Sequence, residues 1–214
     1  MGLSITNIQH QYSHFELDVE NLNLCENKVY GLIGRNGAGK TTFMDTLSGH
    51  IVANKKFKIS NLSHDDILYI PSTSRPYTFL TVNEFSNLVI KYAGTESNSY
   101  EILNRLGLFE KKDERISNLS EGMIKKLSLI QLFIKPYPLI LLDEPFNSID
   151  IQYSYEIKKI INTLKSSSTI MVSSHIIDSL IDLCDEFILM ESGKIKKRFI
   201  NNQDKKEIEG EIFD

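Results

Sequence analysis

The spacing of apolar residues changes twice along the chain. Residues 3 to 33 alternate polar and apolar side chains, as in Phe15-Glu16-Leu17-Asp18-Val19, which predicts antiparallel strands with one buried face. Between about residues 73 and 135 the apolar spacing is helical, and Thr81-Val82-Asn83-Glu84 has the form of a capping box. From Leu139 short apolar runs again alternate with helical stretches. This order predicts an α/β protein in which an all-helical segment interrupts the strands.

Individual elements follow from the local pattern. Short apolar runs predict buried strands, and longer periodic stretches predict helices. The strands are expected at residues 28–33, 139–142, 169–172, 187–190 and 195–200, and the helices at 41–48, 151–164 and 176–183.

The segment from Gly34 to Thr42 has the G-x-x-x-x-G-K-[ST] form of a phosphate-binding loop and stands between a predicted strand and a predicted helix. Its glycines allow backbone N–H groups to approach an anion, and the helix N-terminus adds partial positive charge. Lys40 is expected to reach the β- and γ-phosphates, and the Thr41 hydroxyl to coordinate Mg²⁺. An ordinary glycine-rich turn is disfavoured by the Lys-Thr-Thr sequence and by both flanks. The nucleotide-binding residues predicted here are Gly34, Arg35, Asn36, Gly37, Ala38, Gly39, Lys40, Thr41 and Thr42.

An acidic pair, Asp143 and Glu144, follows the apolar run 139–142. Carboxylates at the carboxyl end of a buried parallel strand lie where open α/β sheets bind ligands. Asp143 is suited to hold Mg²⁺, and Glu144 to polarise an attacking water, so the pair fits phosphoryl transfer to water. Taken alone, the pair is equally consistent with a strand that ends in a solvated turn.

A second candidate anion site lies at Leu119-Ser120-Glu121-Gly122-Met123, here called the signature segment. Ser120 is a plausible N-cap, and the plain interpretation is a capped amphipathic helix that Lys135-Pro136 stops. The alternative is that Ser120, Gly122 and the helix N-terminus bind an anion. The apolar face of this helix is predicted at Met123, Leu127, Ile130 and Ile134.

The motifs occur in a definite order along the chain. The phosphate loop, the signature segment and the Asp-Glu pair are followed by Asn147-Ser148-Ile149-Asp150 and then by Ser173-Ser174-His175. This order and spacing resemble the nucleotide-binding domain of ABC ATPases over residues 1 to 200. The resemblance implies a P-loop (RecA-like) α/β core with an antiparallel β-subdomain and an α-helical subdomain. It also implies a single domain over 1–214, with a core lobe at about 1–72 and 136–200, a helical lobe at about 73–135, and a polar tail at 201–214.

The resemblance assigns roles position by position. Glu144 matches the family's catalytic glutamate, Asp143 its magnesium-site aspartate, and His175 its switch histidine, which senses the γ-phosphate. In the family, the signature segment contacts the γ-phosphate of a nucleotide bound by the other subunit of a head-to-tail dimer, which implicates Ser120 and Gly122. Asp150 matches a dimer-contacting aspartate. Tyr12 lies where the family places an aromatic ring against adenine, although ordinary packing is an equally good interpretation of this Tyr.

Two departures from the family pattern stand out. Ser72 occupies the position where the family usually has a glutamine, and its hydroxyl is too short to reach Mg²⁺ except through an added water. In the signature segment, Glu121 and Met123 replace the commoner Gly and Gln. The sequence Leu-Ser-x-Gly-Met is similar to signatures in a branch of exporters that pair a separate ATPase with a membrane subunit.

Composition narrows the function. With 214 residues, 41% of them hydrophobic, the chain is long enough for one such ATPase domain and too short for two. The net charge of −4, with no Lys or Arg run longer than three, argues against a nucleic-acid partner. Cys25 and Cys184 have no metal-ligand spacing and suit reduced thiols. No apolar run approaches transmembrane length.

The expected function is therefore the ATP-hydrolysing subunit of an ABC transporter, an exporter by its signature segment, with ATP and Mg²⁺ as cofactors. The expected partners are a second ATP-binding subunit, as a homodimer or heterodimer, and a separately encoded transmembrane permease. The chain is expected in the cytoplasm, peripheral on the cytoplasmic face of the cell membrane. The alternative, motivated by Ser72, is a degenerate or non-transport ABC ATPase that binds ATP and hydrolyses it weakly.

Overall fold

The computed structural model describes residues 2–12, 14–54, 57–60, 62–201 and 210. The chain forms two compact units. The first comprises Met1–Ser72, Tyr137–Asn147 and Ile160–Asp214, and the second comprises Thr73–Pro136 and Ser148–Lys159. Among the residues described, no helix is both long and apolar enough to cross a membrane.

In its described part, the first unit is built on a six-stranded sheet. The strands of this sheet are β3 (Val29–Ile33), β5 (Ile67–Ile70), β6 (Leu139–Leu142), β7 (Thr169–Ser174), β8 (Glu186–Glu191) and β9 (Lys194–Ile200). Their spatial order is β5-β6-β7-β3-β8-β9, with parallel pairing except between β8 and β9. All residues of β3, β5, β6 and β7 are buried, because the strands of a parallel sheet are covered on both faces.

The first unit also contains a smaller antiparallel sheet, the helix after the phosphate loop, and the end of the helix Ile151–Leu164. The sheet consists of β1 (Leu3–Gln11), β2 (Glu16–Leu24) and β4 (Lys58–Ile59), with β1 in the centre. Helix α1 (Lys40–Ser48) follows the phosphate loop and ends at Gly49 in a left-handed conformation (φ 82°). One apolar core joins the two sheets and α1, and its members include Ile5, Leu17, Leu32, Phe43, Leu47, Met171 and Ile188.

The second unit is helical. Its helices are α2 (Val82–Tyr92), α3 (Ser99–Arg105), α4 (Glu121–Ser128) and part of α5 (Ile151–Leu164). The predicted capping box is confirmed at the start of α2: the Glu84 N–H donates to Thr81 Oγ1 (3.2 Å), and the Thr81 N–H donates to the Glu84 carboxylate (2.7 Å). The buried residues of α2 are Val82, Ser86 and Ile90, whereas Tyr92 at its end is 83% exposed.

Two helix predictions were wrong in extent. The helix that begins after Ser120 ends at Ser128 rather than at Lys135, and a 3₁₀ turn continues it. The Ser128 hydroxyl donates to the Lys125 carbonyl (2.7 Å), a local bond of the kind that competes with the helical pattern. The predicted helix 176–183 is only a 3₁₀ turn at Ile177–Ser179. There the Ser179 hydroxyl donates to the Ile176 carbonyl (2.6 Å), which closes a turn in place of a helix.

The polar tail that the sequence predicts after residue 200 lies almost entirely outside the described residues. Asn201 is described, and its side-chain amide donates to the carbonyls of Ile181 and Cys184, the latter at 2.7 Å.

Gly31 in β3 allows the Phe187 ring of β8 to pass directly over the strand that leads into the phosphate loop. A Cβ at position 31 would lie 2.6 Å from Phe187 Cδ1, and Phe187 is fully buried. We expect Gly31→Ala to lower the free energy of unfolding by about 1–3 kcal/mol, because the ring has no free space to move into. Denaturant unfolding measures this change. The double variant Gly31→Ala, Phe187→Leu should lose less free energy of unfolding than the two single variants lose together. Strict additivity of the two losses would contradict the steric explanation.

Candidate nucleotide site

The phosphate loop connects the end of β3 to the start of α1. Gly37 (φ 84°) and Gly39 (φ 102°) adopt left-handed conformations that other residues avoid. At Gly34 (φ 150°) a Cβ would lie 2.2 Å from the carbonyl oxygen of Met190, so that position has no room for a side chain. The loop therefore follows a path that only its glycines allow, and it leaves the first backbone N–H groups of α1 without partners within the helix.

Lys40, the first residue of α1, lies folded into this loop. Its side chain is only 7% exposed, and its Nζ donates to the Gly34 carbonyl at 2.8 Å. The Glu144 carboxylate lies 3.9 Å from Nζ. Burial lowers the pKa of Lys40, while the charges of Glu144 and Asp143 act in the opposite direction. A bound polyphosphate would supply the negative charge that favours the protonated form of this ammonium group.

Asp143 is the most enclosed carboxylate of the site, at 2% exposure. Its two oxygens accept hydrogen bonds from Thr41 Oγ1 (2.9 Å) and from Ser173 Oγ (2.5 Å). A carboxylate and a hydroxyl at hydrogen-bond distance are oxygen ligands of the kind that Mg²⁺ binds beside nucleotide phosphates. The residues present therefore fit the magnesium ion that the sequence predicts, with Thr41 and Asp143 as its protein ligands.

Glu144 has an unusual backbone conformation, with φ at 47°. Left-handed backbone at a residue other than glycine is uncommon, and such strain is concentrated at functional sites. The conformation is held because the Glu144 N–H donates to Ser173 Oγ at 2.9 Å. The Glu144 carboxylate lies 3.0 Å from His175 Nδ1, so the predicted base and the predicted γ-phosphate sensor are in direct contact.

A cavity of about 600 Å³ brings together the phosphate loop, Glu144 and His175. Tyr12, 46% exposed, lies at its border, with its ring edge-on to His10 at 4.6 Å between centroids. A larger cavity, of about 780 Å³, lies beside β1 and β4, but the described residues that line it include no carboxylate. The nucleotide cavity is lined by Tyr12, His14, Phe15, residues 36–42, Glu144, Asn147 and His175.

The remaining predicted residues belong to the second unit. Ser120 caps α4 as predicted, since its hydroxyl accepts the Met123 N–H at 3.3 Å. Gly122 is buried in the first turn of that helix. The Asp150 carboxylate accepts the Tyr153 N–H at 3.0 Å, at the start of α5.

One residue of the site was missed as an individual in the sequence. The sequence pattern places Ser173 in Ser173-Ser174-His175 without a role of its own, yet its hydroxyl donates to Asp143 and accepts the Glu144 N–H. The signal was available: β6 and β7 are parallel neighbours, with Leu142 paired to Val172. A polar residue that directly follows position 172 therefore lies beside the residue that directly follows position 142.

Comparison of the sequence with known proteins shows the family to which the chain belongs. The family model for ABC transporters matches residues 17–147, more than half of the chain. The chain belongs to the ABC transporter ATP-binding family. It is an ATPase of that family, and it binds ATP.

Relatives of known sequence differ in the transport they serve. The tungstate uptake system ATP-binding protein TupC of Peptoclostridium acidaminophilum is 32% identical over 91% of this chain and 97% of its own. The lantibiotic transport ATP-binding protein SrtF of Streptococcus pyogenes is 32% identical over 90% of this chain and 88% of its own. The ABC transporter ATP-binding protein YxlF of Bacillus subtilis (strain 168) is 29% identical over 90% and 69%.

Solved structures share the fold. The ADP conformation of MJ1267, an ATP-binding cassette of an ABC transporter, superposes with a TM-score of 0.80 at 21% identity, over 98% of this chain and 94% of that one. A dimeric post-hydrolysis structure of the cassette MJ0796 with ADP and Pi has a TM-score of 0.76 at 17% identity, over 94% and 100%. The predicted ABC ATPase fold is thereby confirmed.

We expect Ser173→Ala to reduce kcat more than ATP binding. The change removes one of the two donors to buried Asp143 and the acceptor for the Glu144 N–H, a loss of about 1–3 kcal/mol, or roughly tenfold or more in rate. Steady-state hydrolysis at saturating ATP and equilibrium nucleotide binding separate the two effects. Ser174→Ala is the matched control, because buried Ser174 bonds to Ile176 and Ser179 instead. Equal rates for the two variants would contradict a role for Ser173 in holding the site.

Proposed function

We propose that this chain is the ATP-hydrolysing subunit that drives a separate, membrane-spanning chain of an ABC transporter. One observation carries the proposal: a single cavity joins the phosphate loop to Glu144 and His175, with Lys40 poised 3.9 Å from the Glu144 carboxylate. A cation, a carboxylate and a glycine-rich loop are three of the groups that hydrolysis of a nucleoside triphosphate uses.

ATP occupies this cavity with its phosphates on the loop of residues 34–42 and its adenine against Tyr12. Lys40 exchanges its bond to the Gly34 carbonyl for the β- and γ-phosphates. Glu144 accepts the proton of the attacking water, and His175, in contact with Glu144, senses the γ-phosphate. Thr41 and Asp143 would hold Mg²⁺, which would supply positive charge to offset that of the phosphates.

Hydrolysis requires a second ATP-binding subunit, identical or related. In this arrangement Ser120 and Gly122 of one subunit contact the γ-phosphate held by the other, and Asp150 contributes to the dimer interface. Two features support this assignment. The phosphate loop has the left-handed φ values at Gly37 and Gly39 that let it bind phosphates, and Ser120 caps the helix that would face the partner's nucleotide. ATP binding closes the pair and hydrolysis reopens it.

The direction of transport that we propose is export. The support is Leu119-Ser120-Glu121-Gly122-Met123, similar to signatures of exporters with a separate ATPase. The relatives include a protein named for tungstate uptake as well as one named for lantibiotic transport, so transport itself has to be assayed in both directions. The proposed location is the cytoplasmic face of the cell membrane, through the membrane subunit.

A degenerate subunit that binds ATP without efficient turnover is the second candidate. Ser72, in place of the family's usual glutamine, is the observation that favours it. The direct contact between Glu144 and His175 and the buried Asp143 favour the active enzyme instead. Magnesium-dependent hydrolysis by the purified chain distinguishes the two candidates.

We expect Glu144→Gln to keep ATP binding, to abolish turnover, and to accumulate an ATP-dependent dimer. The amide keeps the shape of the carboxylate but accepts no proton from the attacking water. Gel filtration with and without ATP measures the dimer, and phosphate release measures turnover. Glu20→Gln, an exposed position in β2, is the control and should behave as the parent. Turnover by Glu144→Gln at the parent rate would exclude Glu144 as the base.

We expect an exposed aromatic cluster in the second unit to contact the membrane subunit. Tyr77 is 57% and Phe79 71% exposed, with their rings 5.8 Å apart and Phe85 beside them. Exposed apolar patches of this kind mark interaction surfaces. Phe79→Asp should release the chain from membranes of its native cells without weakening nucleotide binding. Tyr92→Asp, at an 83% exposed position, is the control and should remain bound. Membrane sedimentation unaffected by Phe79→Asp would place the contact elsewhere.

A further inference from the structure

Within the second unit, the ring of Tyr153 in α5 lies against the first turn of α4. A Cβ at Gly122 would lie 2.2 Å from Cδ2 of that ring and 2.4 Å from its Cγ. Gly122 has no left-handed conformation that would demand glycine. The absence of a side chain at Gly122 is therefore required because the Tyr153 ring occupies the space.

A second residue of α4, one helical turn after Gly122, also contacts the Tyr153 ring. Lys126, four residues after Gly122, places its Nζ 5.5 Å from the centroid of the Tyr153 ring. The ammonium group is paired with Glu156 at 2.5 Å, and the Lys126 side chain is only 7% exposed. A buried, paired cation of this kind has few alternative positions, because unpairing it would leave a desolvated charge. Tyr153 and Glu156 thus fix α5 to α4 at two successive turns.

Tyr153 also contacts both segments of this unit that the proposed mechanism directs at a second subunit. Its hydroxyl lies 3.4 Å from the Ser120 hydroxyl, at the outer limit of a hydrogen bond. Its backbone N–H donates to the Asp150 carboxylate at 3.0 Å. One residue therefore joins the N-terminus of α4 to the loop that precedes α5.

We propose that Tyr153 is a positioning residue that holds Ser120, Gly122 and Asp150 in the one arrangement that can close on the nucleotide of a second subunit. The proposal rests on the proposed function, since it concerns the face offered to that subunit. Tyr153 belongs to the second unit and the phosphate loop to the first. Tyr153 consequently sets how readily the ATP-bound pair closes, and not how tightly a single chain binds ATP.

The test uses the full chain in the Glu144→Gln background, in which ATP-dependent dimers accumulate. Gel filtration gives the protein concentration for half-maximal dimer at saturating ATP. Tyr153→Ala should raise this concentration about tenfold or more, because Ser120 loses the side chain that connects it to the start of α5 beside Asp150, and a loss of about 1.4 kcal/mol in association free energy is a factor of ten. ATP binding at protein concentrations too low for dimers, followed with a fluorescent ATP analogue, should stay within about twofold of the parent.

Tyr155→Ala is the matched control. Tyr155 lies two residues further along α5 and is 59% exposed. Its ring also contacts a lysine, since Lys159 Nζ lies 4.5 Å from the ring centroid. It should leave dimer formation unchanged. Tyr153→Phe keeps the ring on Gly122 and Lys126 and loses only the contact with Ser120, so it should restore most of the dimer. Tyr153→Leu, which retains apolar bulk, should share the defect of Tyr153→Ala and replaces it if the alanine variant does not fold.

A double variant tests the steric relation directly. Gly122→Ala should impair dimer formation, and the defect of the double variant with Tyr153→Ala should be smaller than the product of the two single effects, because the clashing ring is gone. Parent-like dimers from Tyr153→Ala and Tyr153→Leu, or equal defects in the Tyr153 and Tyr155 variants, would overturn the inference while leaving the proposed function intact. Failure of Glu144→Gln itself to dimerise with ATP would instead contradict the proposed function.

Discussion

The buried carboxylate of Asp143 organises the candidate site. It lies at the end of β6 and accepts hydrogen bonds from Thr41 in α1 and from Ser173 at the end of β7. Burying a carboxylate costs free energy unless its oxygens accept hydrogen bonds, so the Asp143 carboxylate stabilises Thr41 and Ser173 in the positions from which they donate. The phosphate loop, the β6 end and the β7 end are thus fixed relative to one another before any nucleotide arrives. Preorganisation of this kind is what makes charged groups effective in catalysis.

The groups around Asp143 are arranged at some energetic cost. Lys40 is desolvated, which lowers its pKa, and Glu144 adopts a left-handed backbone conformation. Both features are tolerated because nearby groups compensate: the Gly34 carbonyl accepts from Lys40, and Ser173 accepts the Glu144 N–H. A polyphosphate and its cation would supply charges that compensate the buried Lys40 and Asp143.

Patterns with a strict local cause were predictable from the sequence, and tertiary relationships were not. The capping box at Thr81, the Ser120 cap and the buried strand before the Asp-Glu pair each follow from neighbouring residues, and each is present. The helix predicted at 176–183 failed because serine side chains close the backbone into a turn there, which apolar periodicity does not reveal. The roles of Ser173 and Tyr153 cannot be predicted from neighbouring residues, because they depend on strand pairing and on helix packing between segments far apart in sequence. The roles assigned to the site residues remain predictions.

In the proposed mechanism, ATP hydrolysis by this chain requires two subunits, each completing the other's site. The most direct measurement is the rate of magnesium-dependent ATP hydrolysis per chain as a function of protein concentration, at saturating ATP. We predict that this specific rate is low in dilute protein and rises to a plateau as dimers form. A specific rate that is independent of protein concentration, from dilute to concentrated samples in which the chain remains monomeric, would contradict it.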